Sequence, residues 1–373
     1  HGHYQDWPDE DYDKVTDELL ERGFNTVRIE AFPWIIGRLS RGDESITIPG
    51  NPLANWGFSD VDREHTLVDE LVEFLTITKR KGIHVILSTW GAGCREYASA
   101  GQSKDDSGRE IFRKGWERTL SILSERDLLD HVLYVDFDQE FPFFSCFQAR
   151  LNELGSTPAS GEGGADAEAM EAAGRRQDVG GLAWNRPQCA FVRDLFTTTL
   201  SHYQSLYPAL RFTFSLTAFW DEVRSLRLRS MDVLELHCWI HSPRFDSRTG
   251  FGSLSKDRGE HDYRDYQRRI DLTLKSVRPM LLQEMHNRMA FASEWATEIA
   301  APLVATEAWG PWWHMDHPHL RWDWLREWCA ECMQLAAEYG FWGVTPWNYS
   351  HPYWESWSDV EWYRRVNNTF LSP

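Results

Sequence analysis

Two spacings of apolar residues alternate along this chain. Seven short runs are almost continuously apolar: FNTVRIE (24–30), IHVILSTW (83–90), HVLYVDFDQ (131–139), RFTFSLT (211–217), DVLELHCWIH (232–241), PLVATE (302–307) and FWGVTPWN (341–348). Rich in β-branched and aromatic residues, they predict strands of a parallel sheet covered on both faces. Between them, apolar positions recur every three or four residues, as along one face of a helix. The helical stretches are 8–22, with Tyr12, Val15 and Leu19 on one face, then 61–80, 108–125, 188–206, 260–299 and 320–339. The capping-box pattern Ser358-x-x-Glu361 predicts the start of a last helix.

Strand followed by helix, repeated to the end, is the order of an α/β fold. A single catalytic domain over residues 1–373 accommodates it as a (β/α)8 TIM barrel. A closed barrel needs eight strands. The chain opens on a helix, so the first strand is expected before His1. Residues 31–59 and the stretch from 242 to about 260 read as loops. Residues 155–181 are small, polar and glycine-rich, and are expected to form a flexible insertion in a βα loop.

Barrels of this kind gather their chemistry where the strands end. Arg28, Glu140, His237, Glu307 and Trp347 all stand at or near such an end, so one rim would hold them. The two glutamates matter most. A retaining glycosidase needs one ionised and one protonated carboxyl about 5–5.5 Å apart. Arg28 beside Glu307 would favour its ionised form, and the flank Phe141, Pro142, Phe143 would favour a protonated Glu140.

Composition sharpens this picture. The chain has 20 tryptophans in 373 residues, and Trp90, Trp239, Trp309, Trp312, Trp313 and Trp347 lie at or just beyond strand ends. Any one of them reads as core packing. Six grouped in this way suit a cleft that stacks on neutral sugars. The formal charge of −18 argues against nucleic acid and anionic membrane surfaces as partners. No apolar run approaches the ~20 residues that span a bilayer. Six cysteines do not suggest a disulfide scaffold, and Cys329 and Cys332 fall inside a helix, where core packing accounts for them. Cysteine usage tilts localisation towards the cytoplasm, and the opening HGHYQDWPDED is neither signal nor transit peptide. No cofactor is expected, and nothing speaks to oligomeric state.

GFNTVRI, YVDFDQEFP, ELHCWIH, PLVATEAWG and GVTPWNY, in that order, resemble strands two, four, six, seven and eight of clan A glycoside hydrolases, the group that includes family 5 cellulases and mannanases. The resemblance covers most of the chain. It implies Glu140 as acid/base and Glu307 as nucleophile in a double displacement on a β-linked oligo- or polysaccharide. It further implies Arg28 under the nucleophile, His237 at the sixth-strand histidine, and Trp347, next to Asn348, as sugar platform. Gln139 replaces an asparagine that meets the sugar 2-hydroxyl in the family. Trp239 stands where a tyrosine usually touches the nucleophile, and Trp90 where many relatives carry histidine. With Trp309, these residues are the expected substrate contacts.

Two rivals remain at this level. Asp136, Asp138 and Glu140 alternate, so a regular strand would aim them at one face, where an oxygen-ligand cation could sit. The altered Gln139 and Trp239 also suit a carbohydrate-binding barrel without catalysis.

Overall fold

The computed structural model describes residues 11–40, 44–48, 62–90, 107–143, 145–155, 184–251, 260–352 and 354–372. Helix α1 (Tyr12–Glu21) is capped by Asp11, whose side chain accepts from the Lys14 N–H, and buries Tyr12, Val15 and Leu19 as their spacing requires. Strand β1 (Thr26–Glu30) follows, then the short helix α2 (Pro33–Ile36) and an antiparallel pair, β2 (Ile46–Ile48) and β3 (Arg63–His65). Helix α3 (Leu67–Lys81), β4 (His84–Ser88), α4 (Ser107–Ser124), β5 (Val132–Asp136) and α5 (Gln148–Leu154) come next. The chain continues through α6 (Arg186–Leu206), β6 (Phe212–Thr213), α7 (Trp220–Ser225), β7 (Leu234–Glu235) and α8 (Pro243–Thr249). It ends with α9 (Glu260–Ile299), β8 (Leu303–Ala305), α10 (Asp323–Glu338), β9 (Gly343–Val344) and α11 (Val360–Leu371).

All seven main strands are parallel. They form two ladders, β1-β4-β5-β6 and β7-β8-β9, joined where Leu216 bridges to Leu236. Ile86, Tyr134, Val233 and Val304 make a small apolar cluster of their own. Their neighbours Val85, Leu87, Val135, Leu234, Leu303 and Ala305 belong to the large core shared with the helices. Alternate strand residues therefore face an inner and an outer core, as in a (β/α)8 barrel. Among the described residues no strand lies between β9 and β1. A cavity of about 320 Å³ marks that seam, lined by Val27, Arg28, Tyr134, Val304 and Val344. Residues 156–181 of the expected insertion, 49–59 of the loop read at 31–59, and 91–106 fall outside the described residues.

Four local expectations are corrected. The stretch 31–59, read as loop, contains helix α2 and strand β2. Residues 63–65 are strand, not helix: they pair with β2, and Glu70 accepts the Thr66 N–H at 2.9 Å, so α3 starts at Leu67. Residues 243–249, read as loop, form α8, because Ser242 caps Phe245 at 3.1 Å, Pro243 suits the first turn, and Gly250 at φ 72 ends it. The last helix is capped by Asp359, not Ser358. Asp359 accepts the Trp362 N–H at 3.1 Å, while the Ser358 hydroxyl donates to the Glu355 carbonyl at 2.7 Å. Cys329 and Cys332 are fully buried on α10, and neither forms a disulfide.

Candidate active site

Backbone ladders fix the two glutamates. The Gln139 N–H donates to the Thr89 carbonyl and the Phe141 N–H to the Ser215 carbonyl, at 2.9 and 3.0 Å. Glu140 is thus held between the strand ends on either side. It adopts φ 56, a left-handed conformation uncommon for a side-chain-bearing residue. On the other ladder, the Cys238 N–H donates to the Glu307 carbonyl at 2.9 Å, which sets His237 and Glu307 on adjacent strand ends.

Five charged or titratable side chains, all buried, meet there: Arg28, Glu140, Glu235, His237 and Glu307. The Arg28 guanidinium donates to Glu307 and, at 3.1 Å, to Glu235. His237 Nδ1 lies 3.0 Å from Glu140 Oε1 and 3.2 Å from Glu307 Oε2. One ligand atom each of Glu140, His237 and Glu307 falls within 4.8 Å of the others. Gln139 does not point away: its amide donates to Glu307, and its Oε1 accepts from the Ser88 hydroxyl at 3.2 Å. The Trp239 indole N–H lies 3.4 Å from Glu140 Oε1, so Trp239 touches the second carboxylate.

These contacts make the two carboxyls unequal. Burial alone would raise Glu307, but the charges of His237 and Arg28 pull it down to about 2. Burial also raises Glu140, and there the Glu307 charge adds to it, outweighing the opposite pull of His237 and Arg28. One carboxylate is held ionised and its neighbour is pushed towards the protonated form. For Arg28 and His237 burial disfavours the charge, yet the surrounding carboxylates win and raise both.

The remaining predicted contacts separate. Asn348 is buried, and among the described residues neither atom of its amide has a hydrogen-bond partner. Trp90 is half-buried, and its N–H donates to Glu30 at 2.6 Å. Trp347 is fully buried, edge-on to His314 at 5.1 Å. Trp309 belongs to the core: its indole donates to the Thr345 carbonyl at 2.9 Å and its ring meets Phe341.

Asp136, Asp138 and Glu140 do not converge as the metal reading required. Asp136 accepts from Ser88 and from the N–H and hydroxyl of Ser215, at 3.0, 2.8 and 2.7 Å. Asp138 lies beside Ser145 and Cys146, and Glu140 turns to His237. Glu140, His237 and Glu307 are close enough to hold a cation, but Arg28 already sets its positive charge on Glu307. A second cation there would meet that charge, so the residues do not suit one.

Two residues of the site escaped the sequence reading. Glu235 precedes His237 by two positions, which on a strand means the same face. Tyr349 is buried, and after burial the charges of Glu307 and Glu140 are what raise its phenol. It follows Trp347 by two positions, and that adjacency was its only signal.

A family model described as sugar-binding cellulase-like matches residues 3–371. The chain belongs to that family. The cellulase-like chain also resembles solved structures of glycoside hydrolase type. A candidate glycoside hydrolase from Parabacteroides distasonis superposes with a TM-score of 0.76 at 23% identity, covering 98% of this chain and 89% of that one. The endo-β-1,4-mannanase of Thermotoga petrophila superposes at 0.50 with 12% identity, covering 100% and 76%. At these identities the likeness carries the fold, a (β/α)8 barrel. No curated protein matches the cellulase-like chain.

Proposed function

We propose that the chain is a retaining glycoside hydrolase that cleaves a β-linked oligo- or polysaccharide by double displacement. Glu307 attacks the anomeric carbon while Glu140 gives its proton to the departing glycosidic oxygen. Glu140 then takes a proton from water, which breaks the glycosyl ester of Glu307. One observation carries this reading: two glutamates that bring an oxygen each within 4.8 Å are unequal, one held ionised and the other pushed towards its protonated form. An inverting enzyme keeps its carboxyls about 6.5–9.5 Å apart to admit a water. Arg28 and His237 orient the nucleophile, and Gln139 supports it in place of reaching for the sugar. Trp90, Trp239 and the open amide of Asn348 line the sugar's side, whereas Trp309 and Trp347, both fully buried, act through packing.

The test is a set of 2,4-dinitrophenyl 2-deoxy-2-fluoro-β-glycosides, with glucoside and mannoside first. They are expected to label the protein once, on the peptide carrying Glu307. Glu307→Ala should lose about 10³-fold or more in kcat and regain part of it with azide, releasing the α-glycosyl azide. Sugar binding without turnover of any aryl glycoside would sink the hydrolase and leave a lectin-like barrel. A label on another residue would remove Glu307 from its role.

A further inference from the structure

The double displacement needs two carboxyls, but this site buries three. Glu235 is fully buried at the end of β7, below the reacting pair. A buried carboxylate is costly unless paired. Glu235 is paired several times: the Thr306 hydroxyl donates to it, Arg28 donates at 3.1 Å, and His237 Nε2 lies 3.7 Å from the same oxygen. Arg28 Nη1 and His237 Nε2 are themselves only 3.2 Å apart. The carboxylates around His237 raise its pKa and favour its charged form, and two cations do not stay in such contact without an anion between them. Glu307 cannot serve throughout, because its charge disappears when it forms the glycosyl ester.

We propose that Glu235 is a positioning residue of the hydrolytic site, a permanent counter-anion that holds Arg28 and His237 together and aims both at Glu307. The proposal rests on reading Glu140 and Glu307 as the catalytic pair. The charges then balance at every stage. Before attack, Arg28 and His237 offset Glu235 and Glu307, with Glu140 neutral. As the bond from Glu307 to the anomeric carbon forms and the glycosidic bond breaks, the Glu140 proton leaves with the departing oxygen. The negative charge moves from Glu307 to Glu140, and Glu235 keeps its own. Besides Arg28 and His237, the titratable groups around Glu235 are Tyr134 and Asp136 from β5, and their pKa values are raised in part by its charge.

Glu235→Gln keeps the size of the side chain and removes the charge. With a 2,4-dinitrophenyl β-glycoside as probe, kcat is expected to fall about 10²-fold and KM to stay within about twofold, because Glu235 touches no sugar. In ¹⁵N-histidine spectra, assigned against His237→Asn, the His237 titration midpoint moves to lower pH. Glu235→Asp keeps that midpoint and recovers part of kcat. Loss of kcat with an unmoved midpoint would leave only a packing role and overturn the proposal, as would an unchanged kcat. If Glu235→Gln does not fold, Glu235→Asp decides: kcat within about tenfold of native supports the proposal, and a greater loss with the charge retained overturns it. A shifted midpoint in a protein that never labels Glu307 would instead fault the hydrolase reading and leave the counter-anion in place.

Discussion

A glutamate in water loses its proton near pH 4.3, and in this site the two that matter depart from that value in opposite directions. The sign of the pH dependence follows. Glu307, at about 2, stays ionised through the acid range, so kcat/KM has no acidic limb above about pH 3. In the proposed mechanism Glu140 acts as acid only while protonated, so kcat/KM is expected to fall as pH rises through its raised pKa. In Glu140→Gln that alkaline limb should vanish with a 2,4-dinitrophenyl leaving group, which needs no proton. A limb that survives the substitution belongs to another group. At this scale much was legible: Glu140, Glu307, Arg28 and His237 end strands, and strand ends share a rim. Glu235 was not: it stands two residues before His237 in the run 232–241, and nothing in that run marks an acid there as the partner of Arg28.

Elements of ordinary length were read well, and those shorter than two helical turns were not. α2 and α8 have 4 and 7 residues, too few for a helical period to show through loop-like sequence. Short as it is, α2 bears on the site. The Phe32 N–H just before it donates to Glu30 at 2.8 Å, and Glu30 in turn holds the Trp90 N–H. α2 packs against α4 through two glycines, and a Cβ on Gly115 would stand 2.7 Å from the Pro33 carbonyl oxygen. Backbone on both sides leaves little room to give. Gly115→Ala should therefore cost about 1–3 kcal/mol, read as a lower Tm. Gly343→Ala, whose added methyl meets only Val304 at 3.9 Å, is the control and should stay near native. Equal losses for both would mean that the α2–α4 contact is not the tight one.

For the whole molecule, alternating strands and helices were enough to order seven strands correctly, since each parallel strand needs a helical crossover to reach the next. How the two ladders meet was not readable, because a bridge such as Leu216 to Leu236 leaves no mark on hydrophobic spacing. That meeting has a consequence for how the chain is inherited and divided. Arg28 and Glu140 come from the first ladder; Glu235, His237 and Glu307 come from the second. Split the gene between Arg229 and Ser230, and each product carries charges whose partners are on the other. Neither product is a half-sized barrel in waiting. Fragments 1–229 and 230–373 should show no cooperative melt alone and regain one when co-expressed. A fragment that melts cooperatively by itself would show that the charges do not bind the halves into one folding unit. If they do, neither ladder can be exchanged for another protein's without its matching charges.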